Sequence, residues 1–222
     1  MLFLQSQFIE SISLKIQEKK EYFSSIIRKI IYEDLPSIFQ FDNPHLLFRL
    51  CQYIAQKPGC LINNIHLSQE FGISNKTIAL YLSYLEEAFL IKKLYNFSTN
   101  IISSEKRLKK YYLASPSFSS ALVDFSEQGA LFENYISSVS DYKYFFRDVY
   151  GNEVDFVSIG KNGTIIPVEA KYTKDVKKED IKNIVLFLKK FHQQKGEIVY
   201  IGNKTQIIKK EAFTITVKPV WG

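Results

Sequence analysis

The chain is poor in residues that staple a fold or hold a soft metal. It has two cysteines and three histidines in 222 residues. Cys51 and Cys60 are too few for a disulfide framework. His45, His66 and His192 fall on separate predicted helices, so they share no ligand spacing with the cysteines, and a zinc site is excluded. No run of about 18 apolar residues occurs, which excludes a membrane-spanning helix. The start, "MLFLQSQFIESISLK", lacks a basic stretch followed by a long apolar one, so it does not read as a signal peptide, and the expected compartment is the cytoplasm. A GxxxxGK[ST] loop is also missing. The nearest echo, "GNKT" at residues 202–205, lacks the first glycine, so the residues do not support NTP hydrolysis by this polypeptide.

What the chain has is apolar and basic. Hydrophobic residues make up 46% and aromatics 15%, enough for a sizeable core. Net charge is +6, a balance that permits nucleic-acid binding without proving it. Between residues 88 and 123, Lys92, Lys93, Lys106, Arg107, Lys109 and Lys110 stand against the single acid Glu105.

The spacing divides the chain into three stretches. Residues 1–40 read as a helical segment, with Phe8, Ile12, Ile16, Phe23, Ile26, Ile27, Ile30 and Ile31 in helical stripes and an interruption at Pro36. Residues 41–118 read as three helices, at about 45–56, 64–71 and 75–88. Two strands around a basic turn follow, "FLIKKLYNF" and "KRLKKYYLA". That order, with the short "FGIS" turn between helices two and three, is that of a winged helix-turn-helix. It predicts that Ser74, Asn75, Lys76, Thr77 and Tyr81 face a DNA groove. Lys106, Arg107, Lys109 and Lys110 are expected to meet phosphates from the wing. A Ser- and Pro-rich linker, "ASPSFSSA", leads into residues 119–222. There a helix, three strands, a helix and a strand make an αβββαβ order, with one further strand at the end. The expected class is α/β (α+β).

The strands carry charges that a sheet disfavours. Side chains alternate along a strand, so Glu169 and Lys171 share one face of "PVEAKY". If "EVDFVSI" pairs with it as a hairpin, Asp155 joins them. Two converging carboxylates are costly unless a cation lies between them, and hard oxygen ligands suit Mg²⁺ or Mn²⁺. Lys171 would then assist hydrolysis of a phosphodiester, and Glu133, in the preceding helix, would complete the shell. The plainer alternative is a solvated sheet face with cross-strand ion pairs.

The ordered set of Glu133, Asp155 and "EAK" at residues 169–171 resembles the PD-(D/E)xK nuclease superfamily, and is similar in particular to the archaeal Holliday-junction resolvase type. The resemblance implies a restriction-endonuclease-like fold. It makes Asp155, Glu169 and the Ala170 carbonyl metal ligands and gives Lys171 a catalytic role. The phrases "YEDLPSI", "GISNKTIALYLSYLEEAFLIKKL", "KKYYLASP", "GALFENYI" and "GNEVDFVSI…IIPVEAKY" resemble the C-terminal half of a family of prokaryotic AAA+ ATPases. In that family a P-loop domain precedes a winged helix and a nuclease-like domain. Without a P-loop, the chain is a fragment, has lost its ATPase half, or relies on a separate P-loop ATPase partner. The implied function is a metal-dependent DNA endonuclease acting on duplex or branched DNA, with a homodimer possible. The alternative is a non-catalytic DNA-binding or ATPase-partner module.

Overall fold

A computed structural model describes residues 8–11, 13–124 and 127–221. Ile12, placed above in the first apolar stripe, lies outside the described residues. The fold mixes helices with a large mixed sheet, as an α/β class requires. It divides into two compact units. The first takes residues 1–93 and 108–140, and the second takes 94–107 and 141–222.

The first unit begins with a short 3₁₀ turn, Ile9–Ser11, and helix α1, Ile16–Lys29. The chain does not break at Pro36. It passes through a π-helical turn, Ile30–Asp34, into α2, Leu35–Ile38, and the Leu35 N–H donates to the Ile30 carbonyl. Proline has no N–H to give the carbonyl four residues back and its ring crowds that carbonyl, so a local widening lets the helix continue. Next come α3, Pro44–Gln56, and β1, Cys60–Ile62. Then come α4, Asn64–Phe71, and α5, Asn75–Glu87. Each of these three helices starts on a side-chain cap. Asn43 accepts from Leu46 N–H, Asn63 from Ile65 and His66, and Ser74 from Thr77. Gly72, at φ 69°, ends α4 in the left-handed region and makes the tight turn between α4 and α5.

Strand β2, Ile91–Asn96, carries the chain from the first unit into the second. Two expectations change here. The segment after β2 is not a simple basic turn. It contains α6, Ile101–Lys106, capped by Asn100, before β3, Lys109–Leu113, returns to pair antiparallel with β1. The "linker" is α7, Pro116–Leu122, with Ser115 as its cap and Pro116 in its first turn. It packs on α1 and α3, with Phe118 buried beside Phe23 and Phe8. Its serines are small enough for close helix packing, and Ser119 Oγ donates to Asn134 Oδ1 at 3.0 Å. Asn134 lies on α8, Gln128–Val139, and its amide donates to the Leu113 carbonyl at 2.7 Å, so α8 is fastened to β3 and α7.

The second unit is built on the sheet order β2-β4-β5-β6-β7-β9-β8. Its strands are β4, Tyr144–Arg147; β5, Glu153–Ile159; β6, Ile165–Lys171; β7, Lys195–Tyr200; β8, Gln206–Lys210; and β9, Phe213–Pro219. Strands β4, β5 and β6 are antiparallel neighbours, while β6, β7 and β9 run parallel. Helix α9, Lys182–Lys190, crosses from β6 to β7 and packs on β5, β6 and β7. It buries Ile184, Val185, Phe187 and Leu188. Burying each of these stabilises by about 1.5–3 kcal/mol relative to exposure. Gly196 permits the close approach: a Cβ there would lie 2.5 Å from Ile184 Cγ2. The edge strand β8 is not expected from the sequence, where only "AFTITVKPV" reads as a further strand.

Candidate active site

The β5–β6 register decides whether the charged strand positions meet. Phe156 pairs with Val168 and Val157 with Pro167, so Asp155 and Glu169 are the next positions of the two strands beyond the last registered pair. Directly opposed residues of antiparallel strands project from the same face. Lys171 lies two residues beyond Glu169 and shares that face. The Ala170 N–H donates to Asp155 Oδ2 at 2.9 Å, which fixes one oxygen of that carboxylate. Glu169 is only 3% exposed because β6 lies between β5 and β7, opposite Ile198 on the β7 side. Lys171 Nζ stands 3.8 Å from Glu169 Oε2, a charge contact too long for a hydrogen bond.

The donor set fits a hard divalent cation in kind. Asp155 and Glu169 are carboxylates one step past the last registered pair of β5 and β6, and Glu169 is buried. It falls short in number, because among the described residues no group of three or more His, Cys, Asp or Glu is arranged to hold a metal. Backbone carbonyl and water oxygens would have to complete such a shell.

Glu133 has a different setting. It sits on α8 in the first unit, where Lys110 Nζ approaches its Oε1 to 2.6 Å and the Tyr112 hydroxyl donates to the same atom at 2.5 Å. Lys110 is 2% exposed. Gly59, at φ 80°, closes the cluster. A Cβ on it would lie 2.9 Å from Lys110 Cε and 3.1 Å from Glu133 Oε1. Glu133 is half-buried, its side chain 20% exposed, with the buried Lys110 as a counter-charge.

The residues expected to contact DNA divide in the same way. Ser74, Asn75 and Lys76 are exposed at the start of α5, and Ser74 and Thr77 are joined by a capping hydrogen bond of 3.0 Å. Tyr81 is corrected. It is 5% exposed and packs edge-on against Phe41, because it lies on the same helical face as Ile78, Leu82 and Leu85. Lys110 is corrected too: it is buried on Glu133 and cannot meet a phosphate. Lys106 and Arg107 are exposed, at the end of α6 in the second unit, and Arg107 Nη1 donates to the Phe97 carbonyl at 3.2 Å. Lys109 is half-buried on β3. Other cations of the basic stretch are also engaged. Lys92 donates to the Ser137 and Ser140 carbonyls, and Lys93 contacts Glu86 at 2.6 Å.

The ring of Tyr142 stacks on Phe156 at 5.0 Å, as core packing of the tyrosines in "DYKYFFRDVY" would have it. Burial, then the nearby Glu197 charge, raises its hydroxyl pKa. Glu197 pairs with Lys218 at 2.6 Å. No spacing signals these contacts, since they depend on strand order.

Residues 8–129 match a family described as a domain of unknown function, DUF8612. The chain belongs to the DUF8612 family. After the DUF8612 stretch, residues 128–220 match a second domain of unknown function, DUF4143, which is often found in the C-terminal regions of AAA ATPases. Helix α8 falls within the DUF4143 match, although its packing is with the first unit. No curated protein and no solved structure matches the chain. Among the described residues no helix is long and apolar enough to cross a membrane.

Proposed function

We propose that the second unit hydrolyses phosphodiester bonds in DNA with the help of Mg²⁺ or Mn²⁺. The observation that carries this reading is that Asp155 and a buried Glu169 are the next positions past the registered pairs of β5 and β6, with Lys171 3.8 Å from Glu169. Asp155, already oriented by the Ala170 N–H, and Glu169 would hold the cation, with the Ala170 carbonyl as a further oxygen ligand. A bound divalent cation supplies a low-pKa water and charge neutralisation at phosphoryl oxygens. Lys171 would place positive charge where negative charge grows on the phosphorus-bound oxygens. Glu133, which the sequence pattern adds to this set, contacts Lys110 and Tyr112 within the first unit. DNA would be held by basic groups of the second unit and by Ser74, Asn75 and Lys76 at the start of α5.

The test is nicking of supercoiled plasmid and of branched oligonucleotides with Mg²⁺ or Mn²⁺. Cleavage by the wild type that disappears in Asp155→Asn supports the reading. Absence of cleavage on every substrate contradicts it.

The lack of a third acidic or histidine ligand among the described residues favours a second reading. Here the chain is a non-catalytic DNA-binding module working with a separate P-loop ATPase, in keeping with where DUF4143 is often found. DNA affinity unchanged in Asp155→Asn, with no cleavage by the wild type, would support it.

A further inference from the structure

The hairpin joining β4 to β5 exposes two apolar side chains on a tightly fastened turn. Val149 is 93% exposed and Tyr150 88%. The turn beneath them holds five hydrogen bonds. Asp148 Oδ1 accepts from the Tyr150 and Asn152 N–H groups, each at 2.9 Å, and Asp148 Oδ2 accepts from the Asn152 amide at 2.8 Å. Asp148 N–H donates to the Asn152 carbonyl at 3.0 Å, and Gly151 N–H to the Asp148 carbonyl at 3.2 Å. Gly151 takes φ 85°, a value other residues adopt only with strain. The Asp148 carboxyl lies below its ordinary pKa, chiefly through the Asn152 amide bond, with Lys190 also favouring its charge. A turn so constrained holds Tyr150 out in water at little further entropic cost on binding.

The surroundings say what it would meet. Lysine and arginine outnumber aspartate and glutamate by seventeen to eleven in the second unit, which therefore carries the chain's whole net charge of +6; the first unit has twelve of each. At the turn, Arg147 is partly exposed and Lys190 lies 5.1 Å from the Phe146 ring centroid. The two local acids are occupied: Asp148 by the turn N–H groups and Glu153 by Arg147 at 2.8 Å. Tyr150 also precedes Asp155 by only five residues on one hairpin, so at most about 18 Å of chain separates them. The turn and Asp155 thus belong to the same end of β5.

We propose that Tyr150, with Val149 beside it, is a base-stacking anchor for a nucleic-acid strand, a few nucleotides from the phosphate at Asp155 and Glu169. The inference rests on the phosphodiesterase reading for that distance, and deepens it by naming an unpaired base as part of the substrate. An aromatic face accepts any base, so the contact adds affinity without sequence choice.

The experiment is fluorescence anisotropy of the full chain, in EDTA, with a labelled 20-nucleotide single strand and with a splayed duplex. Tyr150→Ala is expected to weaken both by about 5- to 150-fold, the loss of one stacked base. Tyr150→Trp is expected to retain affinity, and the salt dependence of Tyr150→Ala should match the wild type, since stacking releases no counterions. Tyr150→Ala binding like the wild type overturns the inference, as does equal loss in Tyr150→Trp. If cleavage is lost in Asp155→Asn while Tyr150→Ala binds normally, the cleavage reading stands and this inference falls. If Tyr150→Ala loses binding but no variant or wild type cleaves, the reverse holds. A wild type that binds neither probe overturns both and leaves the turn to a protein partner.

Discussion

Each unit contains a glutamate beside a lysine, the first half-buried and the second buried, and the two pairs differ. In the first unit Lys110 and Glu133 close to 2.6 Å, with the Tyr112 hydroxyl completing the cluster. In the second unit Lys171 stays 3.8 Å from Glu169, with a second carboxylate, Asp155, across the strand pair. The first unit is neutral overall, whereas the second carries all of the surplus. A lysine–glutamate pair is therefore not a functional mark in itself. Geometry separates a close pair at 2.6 Å from a more open one at 3.8 Å.

The comparison breaks most visibly at the open pair. Lys171→Ala is expected to lower metal-dependent cleavage by about 10²- to 10³-fold, the effect of removing one group that stabilises transition-state charge. Its thermal midpoint should stay near the wild-type value, because the side chain is about one-third exposed. Single-turnover cleavage and a thermal melt measure the two. The reverse pattern belongs to the closed pair. Glu133→Ala strands a buried ammonium, costing about 3–5 kcal/mol, which lowers the melting midpoint by roughly 6–20 °C for a chain of this size. Replacing both partners, Lys110→Met with Glu133→Leu, should recover much of that loss.

A smaller effect is expected at Gly59. Alanine there must adopt φ 80° and place its Cβ 2.9 Å from Lys110 Cε, so Gly59→Ala should cost about 1–3 kcal/mol by chemical denaturation. The smallest effect concerns the thiols of the first unit. Burial pushes Cys51 and Cys60 up to about 12. A folded-state pKa above the unfolded value gives stability that is complete below the unfolded pKa of about 8.5 and is lost as pH rises towards the folded one. Stability should therefore be flat through neutral pH and fall above about pH 9, and Cys51→Ala should flatten that fall. Neither thiol should react with a thiol-specific reagent at pH 8 until the chain is unfolded.

Much of this was legible in the sequence where local chemistry decides the structure. Asn43, Asn63 and Ser74 mark the starts of α3, α4 and α5, and Gly72 marks the turn before α5. The alternation in "EVDFVSI" and "PVEAKY" already put the charges on one face. Tyr81 was legible and misread: it stands three residues after Ile78 and four before Leu85, which is the buried stripe. What escaped depends on contacts distant in sequence. "SPSFSS" has linker composition, yet the same Ser-Pro starts a helix, and only the amide of Asn134 and the rings of Phe8 and Phe23 make it a core element. Lys110 looks solvated in "KRLKK" until Glu133 arrives from another helix. The β5–β6 register turns a composition oddity into carboxylates at adjoining positions of paired strands, but a chain of letters cannot show that Glu133 contacts Lys110 and Tyr112.

The most direct measurement is a calorimetric titration with Mn²⁺ of the wild type, Asp155→Asn and Glu133→Gln. Binding by the wild type and by Glu133→Gln, with loss in Asp155→Asn, is the predicted result. No binding by the wild type, or loss in Glu133→Gln with Asp155→Asn unaffected, would contradict the assignment of the site to Asp155 and Glu169.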